Sequence, residues 1–207
     1  MAARDENPVI EGENRYLGDL RLYRNTSANI PAEMSTRLWL TGLPAFCTYH
    51  QFFMAIRGGG RVYATHVVDP NDNIPTSAAS MTFFSETDAN AFIERCQSTP
   101  LMLGHHEVSV RIHRIFTEAV RTNSQSRALC ITGHPYVADP KFLDWLFREK
   151  WGIKYDVDMV LHTPGTSSSR VVYVFGSVRG QSERIYSRLI RDFSNSVSVK
   201  YLKDPAA

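Results

Sequence analysis

One succession of hydrophobic periods occurs twice in this 207-residue chain, so it folds as two like units of about 80 residues each. The first copy opens at Arg37-Leu38-Trp39-Leu40-Thr41-Gly42-Leu43-Pro44. Leu38 and Leu40 alternate there with Trp39 and Thr41 before a Gly-Leu-Pro stop, as in a half-buried strand entering a loop. Thr48-Tyr49-His50-Gln51 has the capping-box pattern, and the helix it starts carries Phe52, Phe53 and Ile56 up to three glycines at 58–60. Arg61–Val68 and Thr76–Phe84 read as strands on either side of a polar loop. Ser85 to Asp88 cap a second helix with Ala89, Phe92, Ile93 and Cys96 on one face, and Glu107–His113 alternates as a fourth strand.

The second copy repeats this order. Arg127–Thr132 is a strand, and Asp139 followed by Pro140 is a helix start whose apolar face is Phe142, Leu143, Leu146 and Phe147. Asp156–His162 and Arg170–Gly176 are strands, Gln181–Phe193 is a helix, and Val197–Leu202 is the last strand. The predicted fold class is α+β, two ferredoxin-like β-α-β-β-α-β sandwiches. They occupy 34–114 and 127–207, joined by a linker at 115–126 that starts helical over Phe116–Val120. Residues 1–33 are an N-terminal extension. It is polar, acidic and disordered to about Asn14, and then carries the apolar cluster Tyr16, Leu17, Leu20, Leu22 and Tyr23.

Composition narrows the function classes. No apolar run approaches the roughly 18 residues of a membrane span, and the start Met1–Asn7 does not read as a signal peptide. The expectation is a nuclear or cytoplasmic protein without a membrane partner. Cys47, Cys96 and Cys130 have neither disulfide nor zinc spacing, so no metal and no cofactor are expected. No nucleophile–base pair or carboxylate dyad stands at readable spacing, which argues against an enzyme. Net charge is only +2, but residues 127–207 hold twelve basic against eight acidic side chains, making this the basic half.

The repeat resembles the RNA-recognition motif (RRM) family over about 34–114 and 127–204. Leu38-Trp39-Leu40-Thr41-Gly42-Leu43 matches the family's six-residue strand-one motif, with Trp39 at the base-stacking position. Thr76–Phe83 aligns with the eight-residue strand-three motif, but Ala78 and Ser80 stand where its two outward aromatics belong. In the second copy Cys130 takes the strand-one stacking position. Arg170 and Val172 face outward on strand three, while Tyr173 has inward parity. Of six stacking positions, Trp39 alone is filled. The strings Arg61-Val62-Tyr63-Ala64-Thr65 and Thr76-Ser77-Ala78-Ala79 are also similar to a group of fungal tandem-RRM proteins.

The resemblance implies single-stranded RNA as partner, held by Trp39, Thr41, Tyr63, Ser80, Arg111 and His113 of the first domain, with Arg170 and Lys200 of the second assisting. Asp156 and Asp158 are expected on or beside the second sheet, opposing phosphate. Arg184, Arg188 and Arg191 form either a phosphate-facing stripe or a solvated helix face. Two readings stay open for Trp39: it stacks on a base, or residues 16–23 or the other domain cover it. Two also stay open for function, an RNA-binding protein or an RRM-like protein-interaction module with little or no RNA binding; a protein partner in a ribonucleoprotein complex is compatible with the first. An acylphosphatase-like enzyme would need an arginine-bearing anion loop, which Pro44-Ala45-Phe46-Cys47-Thr48 is not.

Overall fold

The computed structural model describes residues 26–121 and 124–207; the acidic start of the chain and the cluster Tyr16–Tyr23 lie outside them. In the first half, strands β1 (Arg37–Leu43), β2 (Val62–Val68), β3 (Ser77–Phe83), β4 (Leu101–Leu103) and β5 (His106–Ile112) form an antiparallel sheet ordered β2-β3-β1-β5-β4. Helices α1 (Tyr49–Ala55) and α2 (Glu86–Ser98) pack on one face of it. In the second half, β6 (Ala128–Gly133), β7 (Val157–Thr163), β8 (Ser169–Phe175) and β9 (Val197–Tyr201) are ordered β7-β8-β6-β9. They are backed by α3 (Pro140–Trp145), which continues as a π turn over Leu146–Lys150, and by α4 (Glu183–Phe193).

Two side-chain periods make each core. Leu38, Leu40, Met81 and Phe83 point inward from their strands and meet Phe52, Phe53 and Phe92 from the helices, all buried. Each such side chain contributes about 1.5–3 kcal/mol by leaving water. Leu129, Ile131, Val171, Tyr173 and Phe175 meet Leu143, Phe147, Ile185 and Leu189 in the same way. The helix starts are fixed locally. Gln51 N–H donates to Thr48 Oγ1 while Thr48 N–H donates to Gln51 Oε1, and the Asp139 carboxylate accepts from the N–H groups of Lys141 and Phe142.

Two elements differ from expectation. Leu101-Met102-Leu103 turns back at Gly104 (φ 61°) and pairs with the start of β5, so the first sheet has a fifth strand. The linker is extended rather than helical over Phe116–Val120. Its carbonyls and N–H groups extend the sheet beyond its strand ends, with Thr36 N–H donating to Thr117 O and Val120 N–H to Phe84 O, both at 2.9 Å. Those long-range partners replace the i to i−4 bonds a helix would need.

The halves are welded together. The Arg127 guanidinium, fully buried, donates to both Asp204 oxygens (2.6 and 3.1 Å) and to Phe175 O (2.8 Å). It also sits 3.5 Å above the ring of Phe53 on α1. Asp158 lies 3.5 Å from the same guanidinium and 3.0 Å from His50 Nδ1. Beyond Asp204 the chain lays Ala206 into the first domain's core, and Ala206 O accepts from Gly59 N–H. At the free edge of β2, Ser177 Oγ accepts Thr65 N–H (2.8 Å) and donates to Thr65 O (3.1 Å). Gly176 lets Tyr49 approach, since a Cβ there would stand 2.8 Å from the ring.

Candidate nucleic-acid interface

With Leu38 and Leu40 buried among the helices, alternation puts Trp39 on the opposite, open face of the first sheet. Strand register sets its neighbours. His66 pairs with Ser80, Ser80 with Trp39, and Trp39 with Arg111, giving a straight row across four strands. One row over lie Val68, Ala78, Thr41 and Ser109; on the other side Ala64, Thr82 and Arg37 lead to His113, whose N–H donates to Arg37 O. Trp39 is half-buried and touches the His113 ring edge to face at 5.5 Å.

Five of the six residues expected on this face, Trp39, Thr41, Ser80, Arg111 and His113, stand together. Arg111 is exposed. Ser80 is not: Arg37 Nε donates to its hydroxyl at 2.8 Å and covers it. His113 is buried with its Nδ1 accepting Ile115 N–H at 2.9 Å, which leaves the ring proton on Nε2. Burial, reinforced by the nearby cations Arg37, Arg114 and Arg111, lowers its pKa to about 4, so the ring is neutral at physiological pH.

Tyr63 departs from expectation. The register slips between Val62 and Ala64, and this bulge takes Tyr63 out of the alternation. Its ring meets Phe84 edge to face at 5.3 Å and lies in the fields of Glu183 and Arg179, on the side of the second domain; burial raises its pKa. His66, exposed at the end of the Trp39 row, was missed by the sequence reading, although the alternation of Arg61–Val68 past the bulge points to it.

On the second sheet Cys130 occupies the place that Trp39 takes on the first, paired with Val172 and Lys200. Arg170 leans over it, Nε 3.1 Å from Sγ. Asp156 and Asp158 do not oppose phosphate on this face, contrary to expectation. Asp158 belongs to the Arg127 cluster, and Asp156 accepts from Gln181 Nε2 beside Tyr49. The arginines of α4 are spoken for in part: Arg188 donates to Trp151 O, and Arg191 pairs with Asp192. Among the described residues no group of three metal-ligating side chains gathers, and no helix is long and apolar enough to cross a membrane.

No family profile and no curated protein matches the chain. Among solved structures, it is similar to the RNA recognition domains 1 and 2 of Sex-lethal from Drosophila melanogaster, at 17% identity over 81% of this chain and 99% of that one, with a TM-score of 0.30. The first two RRM domains of the yeast poly(U)-binding protein match at 14% identity over 81% and 99%, with a TM-score of 0.34. Three RNA-binding domains of the yeast splicing factor Prp24 match at 14% over 81% and 64%, with a TM-score of 0.35. Likeness at this level carries no residue role, so the fold rests on strand order and register. By these, each half is an RRM-like ferredoxin sandwich, and the protein is a tandem of two.

Proposed function

We propose that this is a non-catalytic RNA-binding protein that receives single-stranded RNA on the open sheet of its first domain. The observation that carries the reading is the row His66, Ser80, Trp39, Arg111, which sets one half-exposed indole beside one exposed guanidinium. A base stacks on Trp39, a phosphate pairs with Arg111, and Thr41 and the His113 Nε2–H offer hydrogen bonds to a base edge. Ser80 serves to seat Arg37. Arg170 and Lys200 add attraction at longer range, and the neutral His113 keeps an uncharged ring against the indole.

One ring supports one stacked base, worth about 1–3 kcal/mol, so affinity for any single strand is modest. Fluorescence anisotropy with a labelled single-stranded RNA pool tests this. Trp39→Ala weakens binding by roughly 5- to 150-fold, the equivalent of that energy. Equal affinity of the two proteins would overturn the stacking role.

A further inference from the structure

The second sheet presents a surface of different chemistry from the first, and its two cations, Arg170 and Lys200, are the ones given only a long-range part in the RNA reading. Its open face consists of three rows set by register. Met159, Val174, Ala128 and Leu202 form one; Leu161, Val172, Cys130 and Lys200 the next; Thr163, Arg170, Thr132 and Ser198 the third. No ring stands at any of these twelve positions, because the aromatics of the strands, Tyr173, Phe175 and Tyr201, lie on the helix side of the sheet. What replaces them is aliphatic. Leu161 is 53% exposed, and Met159, Val172 and Leu202 are half-buried beside it over a floor of Cys130 and Val174.

The charges on this face are of one sign. Arg170 and Lys200 flank the aliphatic rows, and every carboxylate of residues 127–207 is placed elsewhere. Asp158 and Asp204 hold Arg127; Asp156 holds Gln181; Asp139 caps α3; Asp144 pairs with Arg148; Asp192 pairs with Arg191. Glu183 accepts Gly180 N–H, and Glu149 lies in the π turn of the helical layer.

From this charge complementarity we infer that the open face of the second domain docks an extended acidic peptide segment of another protein, its aliphatic side chains over Leu161, Val172 and Met159 and its carboxylates on Arg170 and Lys200. Aliphatic contact with a rim of one charge sign suits a peptide, whereas a nucleic acid strand needs rings that this face lacks.

The test is selection of a random dodecapeptide display library on the intact chain, repeated on Leu161→Asp and on Lys200→Glu. Both positions face outward, and unchanged thermal unfolding reports that each variant is folded. Enriched sequences combine Leu, Ile, Val or Met with Asp and Glu. The same peptides, synthesised, bind each variant at least tenfold more weakly than the parent and perturb the methyl NMR signals of Leu161 and Val172. The inference is overturned if enrichment survives both substitutions or the enriched peptides are basic. Self-association lost in Leu161→Asp would overturn it by giving the face to a second copy. Oligouridine binding lost in both variants and kept in Trp39→Ala would overturn it by giving the face to RNA.

Discussion

His113 shows how a single residue can serve a surface without being exposed on it. Its Nδ1 is used up by Ile115 N–H, its ring edges the indole of Trp39, and burial among Arg37, Arg114 and Arg111 lowers its pKa from the usual 6.5 to about 4. An unfolded histidine takes up a proton near pH 6.5, whereas this one waits until about pH 4. Between those values the unfolded chain binds more protons, so stability is full above pH 6.5 and declines as pH falls through that window. Urea midpoints at pH 7 and pH 5 should therefore differ less in His113→Gln than in the parent. In the proposed function Arg111, exposed in the same row, has a part in RNA binding and none in the fold. Arg111→Ala should leave the urea midpoint unchanged and flatten the salt dependence of RNA affinity by about 0.7 in log–log slope, one phosphate contact on a single strand.

Elements were legible wherever alternation or capping chemistry is local. Leu38, Leu40, Met81 and Phe83 against Trp39 and Ser80 could be sorted by parity alone, and Thr48, Ser85 and Asp139 announced their helices. The Tyr63 bulge could not be read this way, because a one-residue slip belongs to the pairing of β2 with β3 and not to either strand. Neither could the extended linker, whose conformation is set by Thr36 and Phe84 far away in sequence. The edge of β2 carries the clearest consequence. Ser177 satisfies both backbone groups of Thr65 from the other domain, in a buried setting. Ser177→Ala leaves that N–H and C=O unpaired, and the expected loss is about 1–3 kcal/mol in denaturant unfolding.

At the scale of the molecule, the interface between the domains was the least readable feature, because its parts come from both ends of the chain. Nothing local to Arg127 announces that it will sit above Phe53 and grip Asp204. By sequence Asp158 is an obstacle to phosphate, whereas in the fold its carboxylate is held by that arginine and by His50 Nδ1. Asp204→Ala leaves the buried Arg127 with only Asp158 at 3.5 Å and Phe175 O, so it should cost about 3 kcal/mol, the low end for breaking a buried pair, read as a lower midpoint in guanidinium unfolding. The same substitution removes the acceptor for Ala206 N–H, leaving the tail held by Gly59 N–H and by the packing of Ala206.

That tail bears on how the protein is made. A domain emerging first from the ribosome usually folds while the rest is still being synthesised, at about 5–20 residues per second. Here Ala206 packs in the core of the first domain, under the turn at Gly59. Of the two domains, the one synthesised first thus waits for residue 206 before its core is complete. A nascent chain arrested before Asp204 holds an N-terminal domain that still lacks one of its core contacts, while chaperones have access to it.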